Sequence, residues 1–89
     1  MIERDIEIKN KLGLHARAAA KLVHTAARFK CEIKIRKGDE EVDGKSILGI
    51  LLLAAGRGST IKVKADGVDE REALEAIEKL IDAKFDEIE

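Results

Sequence analysis

A histidine and an arginine stand two residues apart in Gly13-Leu14-His15-Ala16-Arg17, directly ahead of the run Ala18-Ala19-Ala20. Alanine is the strongest helix former, so the pair falls where a helix begins. Serine, threonine, aspartate and asparagine cap helix starts well, and histidine does not rank with them. A histidine at such a place is read as serving chemistry rather than capping. The unpaired N–H groups of a first turn and the positive end of the helix dipole form a ready anion site. Imidazole is largely uncharged, and so nucleophilic, at neutral pH. The helix end favours an attached phosphoryl anion by roughly 0.3–1 kcal/mol at an exposed site. That modest gain suits a group that must be handed on. Arg17 adds charge-assisted hydrogen bonds to phosphoryl oxygens. The chemistry these residues suggest is reversible phosphorylation of His15 with Arg17 as a phosphate ligand.

No other residues complete a catalytic centre by spacing. His24 follows His15 by nine positions, which on one helix is the opposite face, and the two histidines with Cys31 lack zinc-ligand spacing. No companion base and no Gly-rich nucleotide loop is recognisable. The expectation is a carrier rather than an enzyme, with no metal and no cofactor, whose partners bring the catalytic groups. Away from this context, His24 reads as a surface residue, Cys31 as a small core hydrophobe, and the charges from Asp82 to Glu89 as a solvated, fraying helix end.

The elements that must position the pair follow from periodicity. Ile2, Ile6 and Ile8 share one parity and predict a strand with one buried face. Ala16, Ala19, Ala20, Val23, Ala26 and Ala27 recur at helical spacing as a slim apolar stripe. Cys31, Ile33 and Ile35 alternate with charges in a second strand. Lys37-Gly38-Asp39 turns into a short strand at Glu41 to Asp43. Gly44-Lys45-Ser46 opens an apolar helix from Ile47 to about Leu53, broken by Ala55-Gly56-Arg57-Gly58. Ile61, Val63 and Ala65 form a further strand. Asp69 and Glu72 resemble a capping box ahead of a helix whose stripe is Ala73, Leu74, Ile77, Leu80, Ile81, Phe85 and Ile88. The order β-α-β-β-α-β-α predicts an α+β fold: a two-layer open-faced sandwich, with a four-stranded, mainly antiparallel sheet covered on one face by three helices. The helix from Ile47 is apolar all round on a domain able to bury one side. Ile47, Leu48, Leu51 and Leu52 are therefore candidate docking residues. Arg17, Lys21, Lys45 and Arg57 supply a basic rim for acidic partner surfaces. Ser46, at the N-cap of that helix, is a candidate regulatory site, because a phosphate there places a dianion in the docking face.

Composition narrows the class. The 89 residues make a single domain, 1–89, whose core is too small for a deep substrate cleft. A net charge of −1, and two phenylalanines with no tyrosine or tryptophan, argue against nucleic acid as the partner. One cysteine rules out an internal disulfide framework and suits a reducing compartment. No apolar run approaches membrane-spanning length, and no signal peptide is evident. The expectation is a cytoplasmic monomer with no membrane insertion.

Gly13-Leu14-His15-Ala16-Arg17, followed by Val42-Asp43-Gly44-Lys45-Ser46-Ile47-Leu48-Gly49, resembles the histidine-containing phosphocarrier protein HPr family of the bacterial phosphoenolpyruvate-dependent phosphotransferase system. The resemblance extends over the whole chain. It implies that His15 accepts a phosphoryl group on Nδ1 from phosphorylated enzyme I and passes it to enzyme IIA proteins. It further implies that Arg17 flanks the phosphohistidine, and that Ser46 is the target of an HPr kinase/phosphorylase where the host has one. The sugar and nitrogen-related branches of the system both remain open. One departure stands out: the family places proline after the arginine, and here the residue is Ala18. Proline pre-sets the first helical turn. Its absence bears on the rigidity of the His15 loop, and so on transfer rate or partner choice. Two other classes compete with this reading. One is a regulatory module that responds at Ser46 and binds a transcriptional regulator or metabolic enzyme, against which the presence of His15 counts. The other is a small-ligand-binding domain, for which no pocket motif exists.

Overall fold

The computed structural model describes residues 1–87. In chain order the elements are β1 (Ile2–Glu7), α1 (Ala16–Ala26), β2 (Glu32–Lys37), β3 (Glu40–Asp43), α2 (Ile47–Leu52), β4 (Thr60–Asp66) and α3 (Glu70–Asp82), closed by a 3-10 turn at Lys84–Asp86. All strand pairs are antiparallel, in the order β1-β4-β2-β3. The three helices cover one face of this sheet, giving the α+β open-faced sandwich expected from the periodicity.

Alternation drives the sheet. Ile6, Ile33, Ile35, Ile61, Val63 and Ala65 point into the core with Ala18, Ala19, Leu22, Ala73, Leu74, Ile77 and Ile81 of the helices above them. The opposite face is charged and ordered by register. Glu3, Lys64, Lys34 and Asp43 lie in one cross-strand row, and Asp5, Lys62, Arg36 and Glu41 in the next. Each row runs acid, base, base, acid. Both exposed edges of the sheet therefore carry like charge, a device that discourages edge-to-edge pairing. Lys62 pairs with Glu3 at 3.6 Å and Lys64 with Glu41 at 3.5 Å.

Three expectations are corrected. The buried face of α1 is Ala18, Ala19, Leu22 and Ala26, while Ala16, Ala20 and Ala27 are exposed. Leu22, the largest side chain on that helix face, sets the phase against the sheet. The Asp69–Glu72 capping box does not form. The Asp69 carboxylate instead accepts the N–H groups of Lys30 at 2.8 Å and Cys31 at 2.9 Å, tying the start of α3 to the entry of β2, while Glu70 accepts the Gly67 N–H at 3.0 Å. Finally, the segment after Asp82 is not a solvated, fraying helix end. Lys84, Phe85 and Asp86 take φ values of 56°, 55° and 58°, and this left-handed turn folds the buried Phe85 into the core. Asp82 pairs with Lys9 at 3.0 Å. Ile88, placed on the α3 stripe by periodicity, lies outside the described residues.

Cys31 is buried and free, and burial pushes its thiol up to about 11. The Asp69 carboxyl lies below its ordinary range, chiefly because the Lys30 N–H donates to the charged form. Such a group contributes stability above the unfolded aspartate value of about 3.9 and loses it as pH falls through the lower, folded value. Asp69→Asn is therefore expected to lower the melting temperature at pH 7, and that deficit should shrink on acidification below about pH 4. Thermal melts of both proteins across pH 2–7 check this, and parallel curves would contradict it.

Candidate functional site

His15 precedes α1 with extended backbone (φ −76°, ψ 179°), and its ring Nδ1 accepts the N–H of Arg17 at 3.3 Å. The histidine thus caps the helix through Nδ1, contrary to the expectation that it does something other than capping, and Nδ1 faces the positive end of the helix dipole. Ala18 is wholly buried in the first turn. The helix starts in place without the proline usual in the family, as alanine's helix propensity allows. His15 is half-buried, while Ala16 and Arg17 are exposed.

The loop that presents His15 is fixed by Gly13. Its φ of +65° lies in the left-handed region, and an added Cβ would stand 2.6 Å from the Ala55 carbonyl oxygen and 2.7 Å from Gly56 Cα. Only glycine permits that approach. It allows the Leu14 N–H to donate to the Ala55 carbonyl at 2.8 Å, which locks the His15 loop against the chain leaving α2.

Glu87 completes the site and was missed by the sequence reading, which found no companion group for His15. Its carboxylate lies 3.0 Å from His15 Nε2. It also accepts from Asn10 Nδ2 at 3.1 Å and from the Leu12 N–H at 3.3 Å. These donors, Asn10 first, hold the Glu87 carboxyl below the ordinary glutamate range. Asn10 is fully buried, and its Nδ2 also donates to the Gly13 carbonyl at 2.8 Å. Among the described residues its Oδ1 has no hydrogen-bond partner. Leaving such a buried acceptor unpaired costs about 1–3 kcal/mol. Exchanging the amide's oxygen and nitrogen would set the oxygen against two acceptors, so the observed orientation is the better one. Lys21 donates to the Phe85 carbonyl at 2.7 Å. Leu12, His15, Arg17, Lys21, Phe85 and Glu87 contribute to the walls of a cleft of about 540 Å³.

The remaining sequence candidates lie along α2. Ser46 caps this helix, its Oγ accepting the Gly49 N–H at 3.2 Å. The other end of α2 leads to Ala55 and the His15 loop, so Ser46 is separated from that loop by about one helix length, ~9 Å for six residues. Between these ends Ile47 and Leu51 are 40% and 36% exposed, and Leu48 and Leu52 are 72% and 71% exposed, while Ile50 and Leu53 are buried. Leu12, 62% exposed beside His15, is a further apolar surface residue that the sequence reading did not single out. Lys45 donates to the Phe29 carbonyl at 2.7 Å, and so, like Lys21, has its ammonium held against a backbone oxygen. Arg57 is exposed. His24 is exposed on α1, away from the His15 cleft. Among the described residues no helix is long and apolar enough to cross a membrane.

An open-faced α+β sandwich with a histidine at the start of its first helix defines a class, and comparison with known proteins identifies which one. Residues 2–83 match the family model described as the PTS HPr component phosphorylation site. The chain is 49% identical over 87 residues to the phosphocarrier protein HPr of Neisseria meningitidis serogroup A, covering 98% of each chain. It is 50% identical over 86 residues to the phosphocarrier protein NPr of Shewanella violacea, covering 97% of this chain and 94% of that one. Among solved structures, HPr-C-His from Thermoanaerobacter tengcongensis superposes over the full length of both chains with a TM-score of 0.96 and 47% identity. The chain belongs to the HPr family of the phosphotransferase system.

Proposed function

We propose that the 89 residues act as one cytoplasmic domain, a phosphocarrier of the phosphoenolpyruvate-dependent phosphotransferase system. In this reading His15 accepts a phosphoryl group from phosphorylated enzyme I and delivers it to an enzyme IIA protein or domain. The observation that supports it best is His15 Nδ1 at the start of α1, with Arg17 two residues on, in a chain that matches the family over nearly its full length. The Nδ1 lone pair forms the new N–P bond. The bond from phosphorus to the donor atom of enzyme I breaks, and its electron pair stays with that atom. Arg17 and the first-turn amide then face the phosphoryl oxygens. The exposed side chains of α2 and Leu12 form the apolar docking face, with Lys21, Lys45 and Arg57 as its basic rim. The chain works as a stoichiometric intermediate, binds no cofactor, and meets its partners as a monomer.

Incubation with phosphoenolpyruvate and enzyme I tests the reading. An acid-labile, base-stable phosphate should form on the wild-type chain and be absent from His15→Ala. Label that persists in the variant would overturn the assignment. Label appearing only with ATP and a kinase, on Ser46, would instead support the regulatory module.

Regulation at Ser46 is a second part of the proposal, supported by its position at the cap of the docking helix. Added negative charge there leaves the Gly49 N–H and the helix end satisfied but opposes acidic partner surfaces. Ser46→Asp is expected to keep its circular dichroism spectrum and melting behaviour while binding enzyme I on the order of 10-fold more weakly. A variant that accepts phosphoryl groups as fast as wild type would remove Ser46 from this role.

A further inference from the structure

Building on the proposed carrier function of His15, we propose that Glu87 is a positioning residue for phosphoryl transfer. Its carboxylate accepts the Nε2–H of His15, so that the neutral ring keeps its lone pair on Nδ1. Two ring nitrogens compete for one proton, and the partner of one decides the state of the other. Here Nδ1 accepts the Arg17 N–H and Nε2 faces a carboxylate at 3.0 Å. Both contacts favour the same tautomer. When Nδ1 bonds to phosphorus, the ring gains positive charge shared between its nitrogens while the proton stays on Nε2. Glu87 then faces that charge, and meets it again in reverse when the group leaves. A carboxylate that orients an imidazole in this way need not take the proton.

The approach is built rather than incidental. Glu87 is clasped by Asn10 Nδ2 and the Leu12 N–H. The turn that delivers it holds three consecutive residues in left-handed backbone, a conformation that persists only where its surroundings over-determine it. The surroundings are the buried Phe85 and the Lys21 ammonium on the Phe85 carbonyl.

Glu87→Ala and Glu87→Gln test the proposal against wild type, using phosphorylated enzyme I as donor and ¹⁵N-labelled histidine for ring spectra. Glu87→Ala should accept phosphoryl groups about 10-fold more slowly at saturating donor, the scale seen when a histidine loses its orienting partner, with the donor concentration for half-maximal rate unchanged. The Nε2–H resonance should exchange slowly with water in wild type and be lost to exchange in Glu87→Ala. Glu87→Gln, which keeps an acceptor without the charge, should retain that resonance and recover only part of the rate. A wild-type rate in Glu87→Ala, or a slower rate with an unaltered ring resonance, would overturn the assignment. A wild-type chain that takes no phosphate from enzyme I would instead sink the carrier function. The ring spectra would still decide whether Glu87 holds His15.

Discussion

Gly13→Ala is expected to cost about 3 kcal/mol of stability and to slow phosphoryl acceptance by roughly 100-fold, whereas Gly38→Ala should cost only about 1 kcal/mol and leave acceptance unchanged. The two glycines share nearly the same backbone, φ +65° and +59°. They differ in what surrounds them: a Cβ at Gly38 meets nothing within 4 Å, while one at Gly13 meets the Ala55 oxygen at 2.6 Å and Gly56 Cα at 2.7 Å. Left-handed backbone alone costs a residue with a Cβ roughly 1–2 kcal/mol. The remainder at Gly13 is overlap with main-chain atoms, which cannot rotate aside as a side chain would. Relief requires the His15 loop to part from the chain after α2, breaking the Leu14–Ala55 bond and moving the imidazole. A misplacement near 1 Å is enough for a loss of about 100-fold in a reaction that depends on orientation. Urea melts and enzyme I-dependent labelling of both variants check the pair. Equal losses at the two glycines would show that steric contact at Gly13 has no part in placing His15.

Phe85→Ala should destabilise the chain by about 3 kcal/mol, the lower end of the range for a buried phenylalanine, because the short turn after α3 can detach without unfolding the rest. Were this segment a fraying helix end, the same change would fall within about 0.5 kcal/mol. The variant should also lose the Lys21–Phe85 contact and release Glu87 from His15, so its phosphoryl acceptance should fall to that of Glu87→Ala. Asp86→Gly separates packing from backbone. At φ 58° glycine removes conformational cost without touching the Phe85 ring, so this change should raise stability by about 0.5–1 kcal/mol. The urea midpoints of the two variants, moving in opposite directions, provide the measurement. A Phe85→Ala midpoint matching wild type would contradict the packed tail.

The strands were legible because alternation on a half-buried sheet is a two-state pattern: Ile33 and Ile35 in, Lys34 and Arg36 out. The mainly antiparallel sense of the sheet followed from its hairpins, whereas the strand order β1-β4-β2-β3 came only with the structure. The phase of α1 was not legible. Alanines occupy Ala16, Ala18, Ala19, Ala20, Ala26 and Ala27, so small residues lie all round the helix and carry little contrast. Only Leu22, once packed against the sheet, fixes the buried side. The Asp69 cap failed for a different reason. A local pattern predicted a bond to the first turn of α3, but two strand-entry amides nearly forty residues earlier in the chain compete for the same carboxylate and win. His15, Arg17 and Ser46 were singled out as candidates from local spacing, and the structure places His15 and Ser46 at helix N-caps. Glu87 was not, because it meets His15 across 72 positions from within an acidic tail that resembles solvated surface. The available signal was Phe85, which periodicity had already placed on the core-facing stripe and which, buried as expected, marks the segment as anchored.

The charged rows on the open face of the sheet bear on how partners find this protein. Within the two rows acids and bases cancel, but Glu7, Glu32 and Asp66 share the same outward parity, so that side is net acidic, with a field that fades within a Debye length of about 8 Å at physiological salt. An acidic partner is turned away from the strands. Productive orientation is left to the helical side, so the broad back of the molecule repels acidic partners and their first encounter is biased toward the helices.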